Sequence, residues 1–188
     1  MKRYIKLYDN VISKQDCEEI ISLFDSNPDQ HEEHNNDLMN FKQINMIQHR
    51  DTWSKQIDIL SSAFLKGLEQ YKYECRIETG VQWPENFSFE EFRIKRYEPG
   101  QGVFNLHTDV NDYNSAIRFL VFFVYLNSGS DGGTDFPTLG VTAPRKQGSM
   151  IMFPPLWTYP HAGLMPLKAP KYIVGSYLHY LKDEHESI

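Results

Sequence analysis

The chain has 188 residues, 40% of them apolar and 23% charged, which is one domain's worth of globular sequence and long enough for a sizeable core. Twenty-five acidic residues against 19 basic give a net charge of −6, a poor electrostatic match for tracking a polyanion, so no nucleic-acid partner is expected. The longest apolar run, residues 119–126, is strand-sized and far short of the ~20 residues of a membrane span. Met1-Lys2-Arg3 leads into no apolar signal region, and the two cysteines, Cys17 and Cys75, suit a reducing compartment, so a cytoplasmic location without membrane association is expected.

In chain order, residues 4–8 suit a short strand. Ser13 with Asp16 forms a capping-box pattern that opens a helix carrying Cys17, Ile20 or Ile21, and Phe24 on its inner face, and Asn27-Pro28 stops it. Residues 28–40 are polar and acidic with no period, which predicts a mobile surface loop. His31 and His34 stand there at metal-like spacing, but no further ligand pattern accompanies them and they read as solvated loop residues. Trp53, Ile57, Leu60, Phe64, Leu68 and Tyr71 recur at three and four residues, predicting a long amphipathic helix over about 51–72 whose apolar stripe covers a sheet.

From Phe87 onward the pattern changes to short strands at 8 to 12 residue spacing, as in a double-stranded β-helix, the cupin-like jelly roll. The expected fold class is mainly β with helical cover (α+β), the barrel packed against N-terminal helices. Residues 1–88 would be mainly helical support and 89–182 the barrel core of a single domain spanning 1–188. No internal repeat or linker argues for a second domain.

Chemistry concentrates in the second half. Residues 92–109 read as a strand, a Pro99-Gly100 turn and a second strand ending at His107 and Asp109. Period-two alternation puts Asp109, His107 and Asn105 on one face, so an imidazole and a carboxylate can grip one ion together. With His161 they form a two-histidine, one-carboxylate set that leaves half of an octahedral metal open, as non-haem Fe(II) oxygenases require, although three such ligands also suit zinc. Lys171, ten residues after His161, alternates along a strand and adds a cation where a dicarboxylate co-substrate needs one.

These pieces together resemble the prolyl 4-hydroxylase branch of the Fe(II)/2-oxoglutarate-dependent dioxygenases. The resemblance rests on Tyr97-x-Pro99-Gly100, His107-x-Asp109, Val124-Tyr125-Leu126-Asn127, Gly132-Gly133-Thr134-Asp135-Phe136-Pro137, Gly148-Ser149 before the run 150–153, and His161 with Lys171. It spans roughly residues 90 to 181. It implies Fe(II) held by His107, Asp109 and His161 as the catalytic centre, with 2-oxoglutarate and O2 as co-substrates and ascorbate as a candidate reductant. Lys171 and the Tyr125 phenol would hold the far carboxylate of 2-oxoglutarate, and Tyr97 would help seat the co-substrate or substrate.

The implied reaction is oxidative decarboxylation of 2-oxoglutarate to succinate and carbon dioxide, coupled to hydroxylation of a C–H bond. The implied substrate is a prolyl residue in a peptide or protein. A related oxygenase acting on a free amino acid or small metabolite is the alternative, ahead of a nucleic-acid demethylase or a non-catalytic barrel. At the substrate end the residues themselves offer Trp157 and Tyr159 as pocket walls, and Arg93 and Lys95 on the face of Tyr97. Residues 29–47 match no part of the family pattern.

Overall fold

The computed structural model describes residues 2–182. Twelve strands form one antiparallel sheet rolled into a nearly closed barrel: β1 Lys6–Tyr8, β2 Glu32–Asn35, β3 Met39–Asn45, β4 Phe87–Phe89, β5 Arg93–Tyr97, β6 Val103–His107, β7 Arg118–Tyr125, β8 Thr134–Phe136, β9 Val141–Ala143, β10 Met150–Phe153, β11 His161–Gly163 and β12 Lys171–Tyr180. Along the sheet they run β1-β10-β7-β12-β5-β3-β6-β11-β8-β9, with β2 paired to β3 and β4 to β12. Two helices, α1 Lys14–Asp25 and α2 Arg50–Cys75, cover one face. This is the jelly-roll class expected from the strand spacing. No helix among the described residues is long and apolar enough to cross a membrane.

Helix α1 starts where the capping pattern places it, since the Ser13 hydroxyl accepts the Asp16 amide at 3.0 Å. Cys17, Ile20 and Phe24 form its buried face. All six residues of the α2 stripe are buried against the sheet. They meet Leu120, Phe122 and Val124 of β7, Met150 and Met152 of β10, and Val174 and Leu178 of β12. The intervening residues of the same strands point the other way, into the barrel.

That alternation positions the interior. On β5 and β12 the register pairs Tyr97 with Lys171, Lys95 with Ile173 and Arg93 with Gly175. On β7 it adds Tyr125 opposite Ile173 and Phe123 opposite Gly175. The opposite wall comes from β6 and β11, where His107 faces His161 directly.

The structure corrects the expected mobile loop at 28–40. Residues 32–35 pair with 40–43 as the β2–β3 hairpin, and β3 continues between β5 and β6 as part of the barrel wall. The segment before it is tied down as well. Trp53 donates its indole N–H to Gln30 at 2.8 Å, and His31 stacks on Phe24 with ring centroids 4.3 Å apart. His31 also donates through Nε2 to the Phe24 carbonyl at 3.0 Å, and His34 packs against Phe41, so both histidines are structural. The first half of the chain is therefore more than helical support, because β1 and β3 are integral strands of the sheet.

Candidate metal centre

Three ligand atoms converge at the end of β6. His107, Asp109 and His161 offer donor atoms that all lie within 4.8 Å of one another. His107 Nε2 stands 3.5 Å from one Asp109 oxygen, and His161 Nε2 stands 3.5 Å from the other. Donors each about 2.0–2.2 Å from one ion can be that far apart. Buried, with no hydrogen-bond partner, are His107 Nε2 and Asp109 Oδ2, a costly arrangement unless something binds them.

The other ring nitrogen of each histidine is committed. His107 donates its Nδ1–H to the Asn105 carbonyl at 2.6 Å, and His161 donates its own to the Tyr159 carbonyl at 3.1 Å. Both Nε2 lone pairs are thereby left to face the shared point, the tautomer a metal needs. Phe104 stacks on the His107 ring at 3.6 Å and fixes its plane. Tyr177 donates its hydroxyl to Asp109 Oδ1 at 2.7 Å. Burial alone would raise the Asp109 carboxyl, but the histidines, whenever either is protonated, and the Tyr177 hydroxyl outweigh it and keep it below the usual carboxylate range, ionised and able to ligate. Burial also pushes His161 below the ordinary histidine value, against the pull of Asp109, so it stays neutral and able to ligate. The donor set fits a divalent first-row ion of the Fe(II) type.

The same cavity carries the cation. Lys171 is 2% exposed, and its ammonium donates to the Leu164 carbonyl at 2.8 Å and lies 4.1 Å over the Tyr97 ring. No carboxylate meets it at ion-pair distance among the described residues. Burial, with the fields of Arg145 and Lys95, drops its pKa to about 7. Beside it the Tyr125 hydroxyl hydrogen-bonds the Thr134 hydroxyl at 2.7 Å. Burial raises the Tyr97 and Tyr125 phenols, so both are protonated and able to donate. Lys171, Tyr97, Tyr125, Thr134 and Lys95 line one cavity with the three metal-ligand candidates.

The substrate-end expectations fare differently. Arg93 lies in an adjoining chamber and pairs with Glu91 at 2.9 Å. Trp157 is 79% exposed and lines neither chamber. Tyr159 is buried on the far side, in a groove with Tyr4, Tyr71, Trp83 and Tyr180, so it does not wall the metal cavity. The physical reason is a turn. The Tyr159 amide bonds the Leu156 carbonyl at 2.8 Å, and β11 starts only at His161, so strand alternation cannot be extended back to 159. What Tyr159 supplies to the site is its carbonyl.

Several cavity residues lay outside the expected set, among them Thr134, Tyr177 and Phe104, and Phe41 packs behind Phe104. Tyr177 was within reach of the alternation, since it follows Lys171 by three steps of two along β12. A Cβ at Gly133 would come within 2.4 Å of the Ala143 carbonyl oxygen, so glycine is what lets the backbone approach β9 this closely.

No protein-family model and no curated protein matches this sequence. Solved structures do. A viral collagen prolyl hydroxylase from Paramecium Bursaria Chlorella virus-1, solved with 2-oxoglutarate, superposes with a TM-score of 0.69 at 23% identity, over 95% of this chain and 97% of that one. The fold is that of the prolyl hydroxylases. A Pseudomonas putida prolyl-4-hydroxylase gives 0.62 at 16% identity, covering 95% and 94%. A prolyl hydroxylase from Trichoplax adhaerens, in complex with a peptide fragment of the hypoxia inducible factor oxygen degradation domain, gives 0.66 at 13% identity, covering 94% and 84%.

Proposed function

We propose that the protein is an Fe(II)- and 2-oxoglutarate-dependent dioxygenase that hydroxylates a prolyl residue in a peptide or protein. The observation that carries the oxygenase chemistry is one cavity holding both the His107, Asp109 and His161 donors, two of their atoms buried without partners, and the buried ammonium of Lys171. The prolyl substrate is supported by the fold, since each of the three similar structures is a prolyl hydroxylase and one holds a peptide.

Fe(II) bound there would supply the redox chemistry that couples O2 and 2-oxoglutarate to succinate, carbon dioxide and a hydroxylated C–H bond. The chain supplies the rest. Lys171 pairs with the far carboxylate of 2-oxoglutarate, with Tyr125 and Thr134 donating beside it, and the dry cavity strengthens that charge-assisted contact. Tyr177 and the two backbone carbonyls hold Asp109, His107 and His161 in ligating orientation. Val121, Phe123 and Ile173 keep bulk water from the reacting atoms.

The test is succinate release with product mass from the iron-loaded protein on proline-rich peptides against a panel of free amino acids. Peptide hydroxylation at proline is the expected result. Turnover confined to free amino acids refutes the peptide substrate and leaves the oxygenase chemistry standing. His161→Ala is the control, expected to abolish succinate release with the fold intact, and no succinate from the unmutated protein under any condition refutes the enzyme class.

A further inference from the structure

We infer that Lys95 is a second carboxylate-binding cation of this cavity and that the molecule oxidised there carries a carboxylate. The inference rests on the oxygenase reading above and narrows its substrate. Lys95 sits at the centre of β5, on the barrel-facing side between Tyr97 and Arg93. It lines the chamber of the metal donors and also the adjoining chamber of Arg93 and Glu91, so it stands at the junction a substrate would cross. Its ammonium lies 4.7 Å from the Phe41 ring centroid and 5.4 Å from that of Phe104. Those aromatic faces hold the charge in place without neutralising it.

The other cations around the cavity are matched. Arg93 meets Glu91 at 2.9 Å, Arg118 meets Glu90 at 2.7 Å, and Arg145 meets Asp131 at 3.7 Å. Among the described residues neither Lys95 nor Lys171 has an acid at ion-pair distance. Lys95 is half-buried and lines the cavity with no acid at ion-pair distance, the field of Asp109 reaching it only from farther off, so its ammonium is left to meet an anion that a ligand brings. Burial lowers Lys95 to a pKa of about 8, which still leaves it mainly charged at neutral pH.

Charge balance decides which ligand. A divalent ion with Asp109 leaves one positive charge, and Lys171 and Lys95 raise the cavity to three. The two carboxylates of 2-oxoglutarate remove two. One positive charge remains, and it sits at the junction with the outer chamber, where the substrate enters. The single charge that remains is balanced by a monoanion such as a carboxylate, whereas a doubly charged phosphate would overshoot it. The fitting substrate is a prolyl peptide that presents a carboxylate beside the oxidised carbon, from an acidic side chain or its C-terminus, and a free amino acid would meet the same charge requirement only if the peptide substrate were refuted.

The test uses protein loaded with redox-inert Zn(II) and 2-oxoglutarate, titrated with acetate and with acetamide, its uncharged counterpart, by ligand-observed NMR. Acetate should bind and acetamide should not. Lys95→Met should weaken acetate binding by about tenfold or more while 2-oxoglutarate affinity stays within about twofold, and Lys95→Arg should retain acetate binding. Thermal midpoints and zinc stoichiometry confirm that the variants are folded. Failure of acetate to bind, or equal binding in Lys95→Met, overturns the inference. So does about a tenfold loss of 2-oxoglutarate affinity in Lys95→Met, which would assign this cation to the co-substrate.

Failure of 2-oxoglutarate to bind the unmutated zinc protein would instead overturn the oxygenase reading, and acetate titration of the same protein decides the Lys95 site separately. With iron, succinate release stimulated by free amino acids but not by their amides identifies a free acid as the substrate, and stimulation confined to acidic peptides identifies a side chain. Stimulation by neutral prolyl peptides, undiminished in Lys95→Met, overturns the inference.

Discussion

Tyr177 touches the metal donors only through Asp109, yet its 2.7 Å hydrogen bond is the one that fixes which way the carboxylate turns. Tyr177→Phe keeps the ring on Arg118, whose guanidinium lies 4.1 Å above it, and removes the hydroxyl alone. Metal affinity should fall about 10- to 100-fold, as for other residues that orient a ligand, with little change in thermal midpoint. Unchanged affinity by metal titration would mean that the Asp109 orientation is set by the backbone. Lys171 acts on the other partner. Lys171→Met should weaken 2-oxoglutarate about 10- to 100-fold, the equivalent of roughly 1.5 to 3 kcal/mol for a charge-assisted pair, and leave metal affinity nearly unchanged. Calorimetric titration separates the two, and equal 2-oxoglutarate binding would pass the anchoring role to another cation.

Among the elements, the β5–β6 turn carries the most constraint. A Cβ at Gly102 would come within 2.5 Å of the Glu98 amide nitrogen and 2.6 Å of the Tyr97 Cα, both backbone atoms that cannot move away cheaply. Gly102→Ala should therefore cost about 1–3 kcal/mol in urea denaturation, and should weaken 2-oxoglutarate binding because Tyr97 must shift. Full stability with full affinity would show that the turn relaxes elsewhere. This turn was legible in the sequence because Pro-Gly chemistry and the flanking alternation agree, and α1, α2 and the barrel strands after Phe87 were legible for similar reasons. The β2–β3 hairpin was not. Glu32, Glu33, His34 and Asn35 are polar on both faces, and β3 buries Phe41 toward the cavity and Ile44 toward the helices, so neither period shows. Gln43 and Asn45 are buried polar residues on a barrel strand, satisfied by Glu32 and by the Ile47 and Gln48 amides, so their burial leaves no apolar signature in the sequence. Tyr159 was offered as a pocket wall for its nearness to His161, and the turn from Leu156 aims it into the groove with Tyr4 and Tyr71 instead.

At the scale of the whole molecule, the cavity without its ligands is a store of unpaired positive charge, and that makes stability depend on pH. Burial, with Arg145 and Lys95 nearby, holds Lys171 at about 7, and burial holds Lys95 at about 8, both below the ordinary value of 10.5. Between pH 7 and 9 the unfolded chain therefore binds more protons than the fold, and stability rises with pH across that window. Lys171 alone contributes up to about 1.4 kcal/mol per pH unit. Above pH 9 the rise is opposed by the Cys17 thiol, which burial lifts from 9.0 to about 11, so that the unfolded chain loses that proton first. Denaturation of the metal-free protein from pH 7 to 9 should show the increase, and Lys171→Met should remove much of it. A flat profile for the unmutated protein would mean that water or an ion already neutralises the cavity. The same protons give 2-oxoglutarate the opposite dependence. Its far carboxylate needs Lys171 charged, so its affinity should be highest below pH 7 and decline above it, and Lys171→Met should lose both the affinity and the decline.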